Sequence, residues 1–167
     1  DCHNLHGLVL LGLGQPDAAV AAFGAALKEE PEFADARNNL GAAYEARGQT
    51  EKAEAAYRDA LDLRPDYAEA ACNLSRMLLR LGRPEKSAVA SRRALAIRPG
   101  LGDARINLAV AQQRHGQDAA AEATIRTALA SEDGNATLHR FLGVLRRRQG
   151  DLAGAEATLR RRPRPPV

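Results

Sequence analysis

Ala34-Asp35-Ala36-Arg37-Asn38-Asn39-Leu40-Gly41-Ala42-Ala43-Tyr44 opens a stretch that runs on through Gly48, Ala53, Tyr57 and Ala60-Leu61 to Pro65. Its landmarks return along the chain at one interval. Pro31, Pro65 and Pro99 are spaced 34 residues apart. Leu40, Leu74, Leu108 and Leu142 keep the same spacing, as do Gly14, Gly48, Gly82, Gly116 and Gly150. Ala26, Ala60, Ala94 and Ala128 form a further series, each followed by Leu. Independent series agreeing on a period of this size predict a stacked array of small units rather than one globular core.

Each unit reads as two helices. Ala36, Leu40, Ala43 and Arg47 recur at 4-3-4 spacing, and Ala70, Leu74, Met77 and Leu81 repeat the pattern, as one stripe of an amphipathic helix does. Gly48 and its equivalents end that helix, because glycine reaches the left-handed cap conformation without strain. Pro16 and Pro84 suit the first turn of a second helix, with Thr50 and Asp118 as expected caps and Asp17, Glu51 and Glu85 complementing the dipole. Pro65 and its equivalents stop it. Gly41 and Ala53 are small enough for the two helices to approach, with Tyr57 filling the space beside them.

The unit resembles the tetratricopeptide repeat, matched by Leu40-Gly41, Tyr44, Ala53, Tyr57, Ala60 and Pro65, with Arg37 in place of the family's large first residue. The resemblance implies an all-α, right-handed superhelical solenoid of about five repeats, at 1–33, 34–67, 68–101, 102–135 and 136–162, with a Pro/Arg tail at 163–167 expected to be frayed. Repeat two is the fullest match. Repeat one has His6 where leucine is expected; repeat three has Ser75 for glycine and Ser91 for the aromatic; repeat four has Asp133 for proline.

Composition fits a thin, alanine-rich core: of 167 residues, 45% are hydrophobic and 4% aromatic. No apolar run reaches membrane-spanning length and no signal peptide heads the chain. Asp1 falls at the second position of a repeat, so the sequence reads as a piece of a longer protein. Residues 1–75 hold 6 Lys and Arg against 13 Asp and Glu, a balance of −7; residues 76–167 hold 18 against 8, a balance of +10. Such polarity steers partners or favours head-to-tail association, unless it is only the drift of solvated faces.

Four constellations are candidates for function. Asn39, Asn73 and Asn107 each occupy the sixth position of a first helix, on a stripe with positions two, nine and thirteen, away from the leucine stripe. The family resemblance places that stripe in the concave groove. A carboxamide both donates and accepts, so a row of them can pair with the backbone of an extended peptide; the alternative is that each amide bonds a neighbouring helix. The row is similar to the repeat region of O-linked N-acetylglucosamine transferases and their bacterial relatives, although Leu5 and Phe141 interrupt it at the two ends. On the same stripe, Asp1, Asp35, Glu69 and Asp103 make an acidic row, and Arg76, Arg80, Arg114 and Arg148 a basic one that could meet acidic groups. The helix dipole favours the same placement without any ligand.

Cys2, His3 and His6, with Cys72 apart, form only a partial ligand set, so no metal and no cofactor is expected. Two distant cysteines suggest free thiols and a reducing, cytoplasmic setting. The Arg-rich end from Arg140 lacks interleaved aromatics for base stacking, so nucleic acid is not the expected partner. No phosphate-binding loop, nucleophile elbow or metal helix is present, so the chain itself reads as noncatalytic.

The expected function is a scaffold whose concave groove binds a protein or extended peptide through Asn39, Asn73, Asn107, Arg76, Arg80 and Arg114. Two alternatives stand beside it: the substrate-recruiting arm of a larger enzyme such as a protein O-glycosyltransferase, and a self-assembling homo-oligomer.

Overall fold

A computed structural model describes residues 2–131 and 136–160. Among these the chain is entirely helical: α1 Cys2–Gly12, α2 Pro16–Glu29, α3 Ala34–Ala46, α4 Thr50–Leu63, α5 Ala68–Arg80, α6 Pro84–Ile97, α7 Gly102–Arg114, α8 Asp118–Ser131, α9 Ala136–Arg148 and α10 Leu152–Arg160. Each helix packs on its sequence neighbours, and first helices also touch the next first helix, α1 with α3 and α5 with α7. Such neighbour-only packing builds a helical solenoid. The expected tail at 163–167 lies outside the described residues.

The period is written into the turns. Gly14, Gly48, Gly82, Gly116 and Gly150 all take φ between 69° and 84°. In every case the next residue's N–H bonds a carbonyl five residues back: Gln15 to Leu10, Gln49 to Tyr44, Arg83 to Leu78, Gln117 to Gln112 and Asp151 to Arg146, at 2.8–2.9 Å. This is the glycine-capped helix end that satisfies orphan carbonyls and reverses the chain. At the other end of the unit, Glu30, Arg64 and Arg98 precede the prolines and are driven to ψ of 89°, 91° and 93°, so the second helices stop there.

One expectation needs correction. Thr50 and Asp118 are not caps but the first residues of α4 and α8. The residue ahead of α4 is Gln49, whose side chain makes no capping bond. The glycine turn spends one residue fewer than the sequence reading allowed, so the threonine falls inside the helix.

Between the two helices of a unit, one pair of positions trades volume. A Cβ on Gly7 would sit 2.5 Å from the Phe23 ring, and one on Gly41 2.7 Å from the Tyr57 ring. Both rings are fully buried. Repeat three puts Ser75 and Ser91 at these positions. Ser91 Oγ donates to Ser75 Oγ at 3.0 Å, and Ser87 Oγ to the Ser75 carbonyl at 2.9 Å, so the buried hydroxyls are satisfied internally. Repeat four uses Ala109 and Ile125, also fully buried. Glycine with a ring, two serines, and alanine with isoleucine are three ways of filling one gap.

Candidate functional site

The first helices α3, α5 and α7 place Asn39, Asn73 and Asn107 in register, each half-buried. Their amides reach back to the preceding first helix. Asn39 Nδ2 donates to Asn4 Oδ1 and Asn73 Nδ2 to Asn38 Oδ1, both at 3.0 Å, and Asn107 Nδ2 donates to the Cys72 carbonyl at 3.2 Å. Each bond spans 35 residues, one period plus one, so a single offset is used three times, twice onto a carboxamide and once onto a backbone carbonyl. Asn39 and Asn73 thus each spend one N–H on the neighbouring helix and keep another, whereas Asn107 Nδ2 also lies 3.6 Å from Cys72 Sγ.

The arginines are held in the same way. Arg76 grips Glu45 with two bonds, Nε to Oε1 at 3.1 Å and Nη2 to Oε2 at 2.7 Å, and Nη2 also reaches Asn73 Oδ1 at 3.2 Å. Arg80 Nη1 lies 3.4 Å from Glu45 Oε1, a looser contact with a side chain 47% exposed. Arg114 Nη1 donates to the Leu79 carbonyl at 2.5 Å. Arg148 pairs with Asp118 at 3.3 Å. Tyr57 Oη donates to Glu45 Oε2 at 3.3 Å; burial, then the Glu45 charge, push its phenol pKa up.

Asn4, Asn38 and Glu45 were missed by sequence reasoning, although they organise this face. A signal for them existed: Asn4 and Asn38 are one period apart, and Glu45 stands one period plus one before Arg80.

In repeats two and three the acidic row is closed from within the unit. Arg64 Nη2 meets Asp35 Oδ1 at 2.5 Å, and Tyr67 Oη donates to the same oxygen at 2.7 Å. The Arg64 guanidinium stacks 3.7 Å from the Tyr67 ring centre. Arg98 repeats the contact with Glu69 at 2.5 Å. Asp103 is exposed, and Asp1 lies outside the described residues. Burial alone would raise the Asp35 carboxyl, but the bonds from Arg64 and Tyr67 outweigh it and hold the pKa below its usual value. A lowered folded-state pKa gives stability that is present above the unfolded value and lost as pH falls through the folded one. Asp35→Asn is therefore expected to flatten the acid limb of a melting-temperature-against-pH curve below about pH 4, measured by circular dichroism; an unchanged limb would show that the cluster contributes nothing.

Cys2 is exposed and Cys72 buried. Burial, helped by the Asp103 charge, pushes the Cys72 thiol up to about 11, so it is protonated and unreactive at neutral pH. His3 sits 3.3 Å from Glu29. Among the described residues no three His, Cys, Asp or Glu side chains converge on a metal position, and no helix is long and apolar enough to cross a membrane.

Comparison with solved structures gives the same architecture. The chain overlays MamA residues 41–end from Desulfovibrio magneticus RS-1 with a TM-score of 0.88 at 18% identity, covering 94% of this chain and 89% of that one. It overlays YrrB, described as a TPR protein with an unusual peptide-binding site, with a TM-score of 0.80 at 17% identity, over 93% and 80% of the two chains. For PilW, described as a widely conserved type IV pilus biogenesis factor, the TM-score is 0.86 at 26% identity, over 94% and 73%. Among curated proteins no sequence match is found. Tetratricopeptide repeat family models match residues 4–67, 43–101, 78–145 and 136–161. With nearly every described helix inside one of these matches, the chain belongs to the tetratricopeptide repeat family.

Proposed function

We propose that the chain binds an extended peptide or protein segment along the face formed by α3, α5 and α7. The observation that carries this reading is the evenly spaced carboxamide row, locked by its bonds to the preceding helices. Asn39, Asn73 and Asn107 are fixed in rotamer before any ligand arrives, so little side-chain entropy remains to be lost on binding. Asn39 and Asn73 each keep an N–H for a peptide carbonyl. Arg76 and Arg80 share the single carboxylate of Glu45, which leaves a surplus positive charge beside the row. Arg80 is the looser of the two and the one that turns to a ligand carboxylate; Arg114 extends the basic edge.

Fluorescence anisotropy against a peptide library tests this. The triple variant Asn39→Ala/Asn73→Ala/Asn107→Ala should lose capture of most sequences, and Arg80→Glu should lose acidic ones selectively. The triple change also cuts inter-helix bonds, so helicity is read alongside. Unchanged capture by a folded triple variant removes the reading. The likeness of the row to O-linked N-acetylglucosamine transferase repeats adds one setting, a recruiting arm beside a glycosyltransferase domain, which the full-length gene would reveal.

Self-association is favoured by a separate observation. The acidic first half and basic second half suit an end-to-end contact between copies. Light scattering over a concentration series should then show salt-sensitive growth; a salt-insensitive monomer excludes it.

A further inference from the structure

We propose that a groove on the opposite side of α5 is a second docking site, for a partner segment that carries apolar anchor side chains flanked by carboxylates. The groove has a volume of about 270 Å³ and runs between α4 and α6 over α5. Its floor is Leu61, Leu74 and Leu78, and its mouth carries Arg58, Lys86 and Arg93. On a 3.6-residue helix, Leu74 and Leu78 lie roughly 100–160° from Asn73, Arg76 and Arg80, so the two sites share no residue and stand or fall separately.

The repeat register shows that this groove is particular to one interface. One period earlier, the place of Ala71 is taken by Arg37, which pairs with Asp59 at 3.3 Å, and Asp59 holds the place of Arg93. The place of Leu78 is taken by Tyr44, covered by Lys52 at 5.6 Å from its ring centre, and Lys52 holds the place of Lys86. One period later, Gln112 stands for Leu78 and accepts from the Thr124 hydroxyl at 2.8 Å. The flanking interfaces are thus plugged by polar pairs. At α4–α6 both plugs are replaced by apolar side chains, and the partners that would close them are cations.

Charge and size decide the occupant. No acidic residue lines the groove. Arg58 shares the one carboxylate of Glu54 with Arg83, and Arg93 is held by the Pro65 carbonyl at 2.7 and 3.2 Å rather than by an acid. Among the described residues Lys86 has no carboxylate partner. Val89 stands 61% exposed at the edge. An apolar floor under a cationic mouth selects apolar side chains with anionic neighbours. The volume sits at the lower edge of the range for small-molecule and cofactor pockets, about 300–1,000 Å³, and suits one or two anchor side chains of a peptide.

The probe is a fluorescein-labelled helical peptide with Leu and Phe at i, i+3, i+4 and i+7 and Glu elsewhere. Its controls are the same peptide with Lys for Glu, and decanoate as a non-peptide amphiphile. The decisive variant is Ala71→Arg/Arg93→Asp, which installs the Arg37–Asp59 plug that the chain already folds around one period earlier. It should weaken the acidic peptide at least about tenfold, and by the same factor in an Arg80→Glu background, where the carboxamide row no longer competes for acidic sequences. Equal binding by the plugged variant overturns the proposal, as does equal binding of the Lys peptide. Decanoate binding without peptide binding would make the occupant a small amphiphile, and concentration-dependent dimerisation blocked by the same plug would make it a second copy; either result overturns the assignment.

Discussion

Tyr57→Ala should destabilise the array by about 3–5 kcal/mol, the usual cost of removing a fully buried aromatic side chain. The ring has no solvent exposure and packs over the backbone at Gly41, where no side chain could replace it. It also belongs to the apolar cluster that joins α4 to α5 and reaches Ala104 at the start of α7. In a linear array each unit is supported only by its neighbours, so a cavity here separates the first unit from the third. Chemical denaturation should show a lower midpoint and a shallower slope, the sign that one cooperative transition has become two. A change below about 0.5 kcal/mol, the level of an ordinary surface substitution, would mean that the ring does not hold the unit.

The same gap predicts non-additivity. Gly41→Ala alone drives a Cβ into the ring and should cost about 1–3 kcal/mol. Gly41→Ser/Tyr57→Ser imports the pair found at Ser75 and Ser91, and should cost less than the sum of its single changes, because the residues touch.

The fold was legible because its determinants are local. Glycine at a left-handed turn and proline after a helix act through their own backbone, so their spacing alone located the ends of α1 to α7. The site was less legible. Asn39, Asn73 and Asn107 were visible as a row, but their bonding partners depend on how far one first helix is rotated and shifted against the next. The observed offset of one period plus one residue makes Asn4, Asn38 and the Cys72 carbonyl the acceptors. A register built on equivalent positions compares Asn39 with Asn73 and never with Asn38. Arg76 and Arg80 suffered the same blindness towards Glu45. The α4–α6 groove was hidden for another reason: it arises from the absence of Arg37 and Tyr44 equivalents, and a pattern search looks for what recurs.

Glu54→Ala is the other substitution with a large expected effect. Glu54 is on α4 with its side chain 6% exposed, and it accepts from Arg83 Nη1 at 3.0 and 2.9 Å and from Arg58 Nη2 at 2.6 Å. Arg83 lies in the turn ahead of α6, so the pair clips one unit to the turn of the next. Breaking a buried ion pair costs about 3–5 kcal/mol when the surviving charge stays buried. Here both guanidiniums are about half exposed, at 48% and 46%, and water compensates part of the loss. A cost of about 2–3 kcal/mol is therefore expected. The chain also supplies the control. One period earlier the same two positions hold Val20 and Gln49, an uncharged pair in which Gln49 Oε1 is buried without a hydrogen-bond partner. Glu54→Val/Arg83→Gln should recover part of what Glu54→Val loses, since the neutral pair removes the uncompensated guanidinium but leaves a buried amide oxygen to satisfy. If the double variant is instead as unstable as the sum of its parts, the carboxylate acts through Arg58 alone, and the clip between units must lie elsewhere.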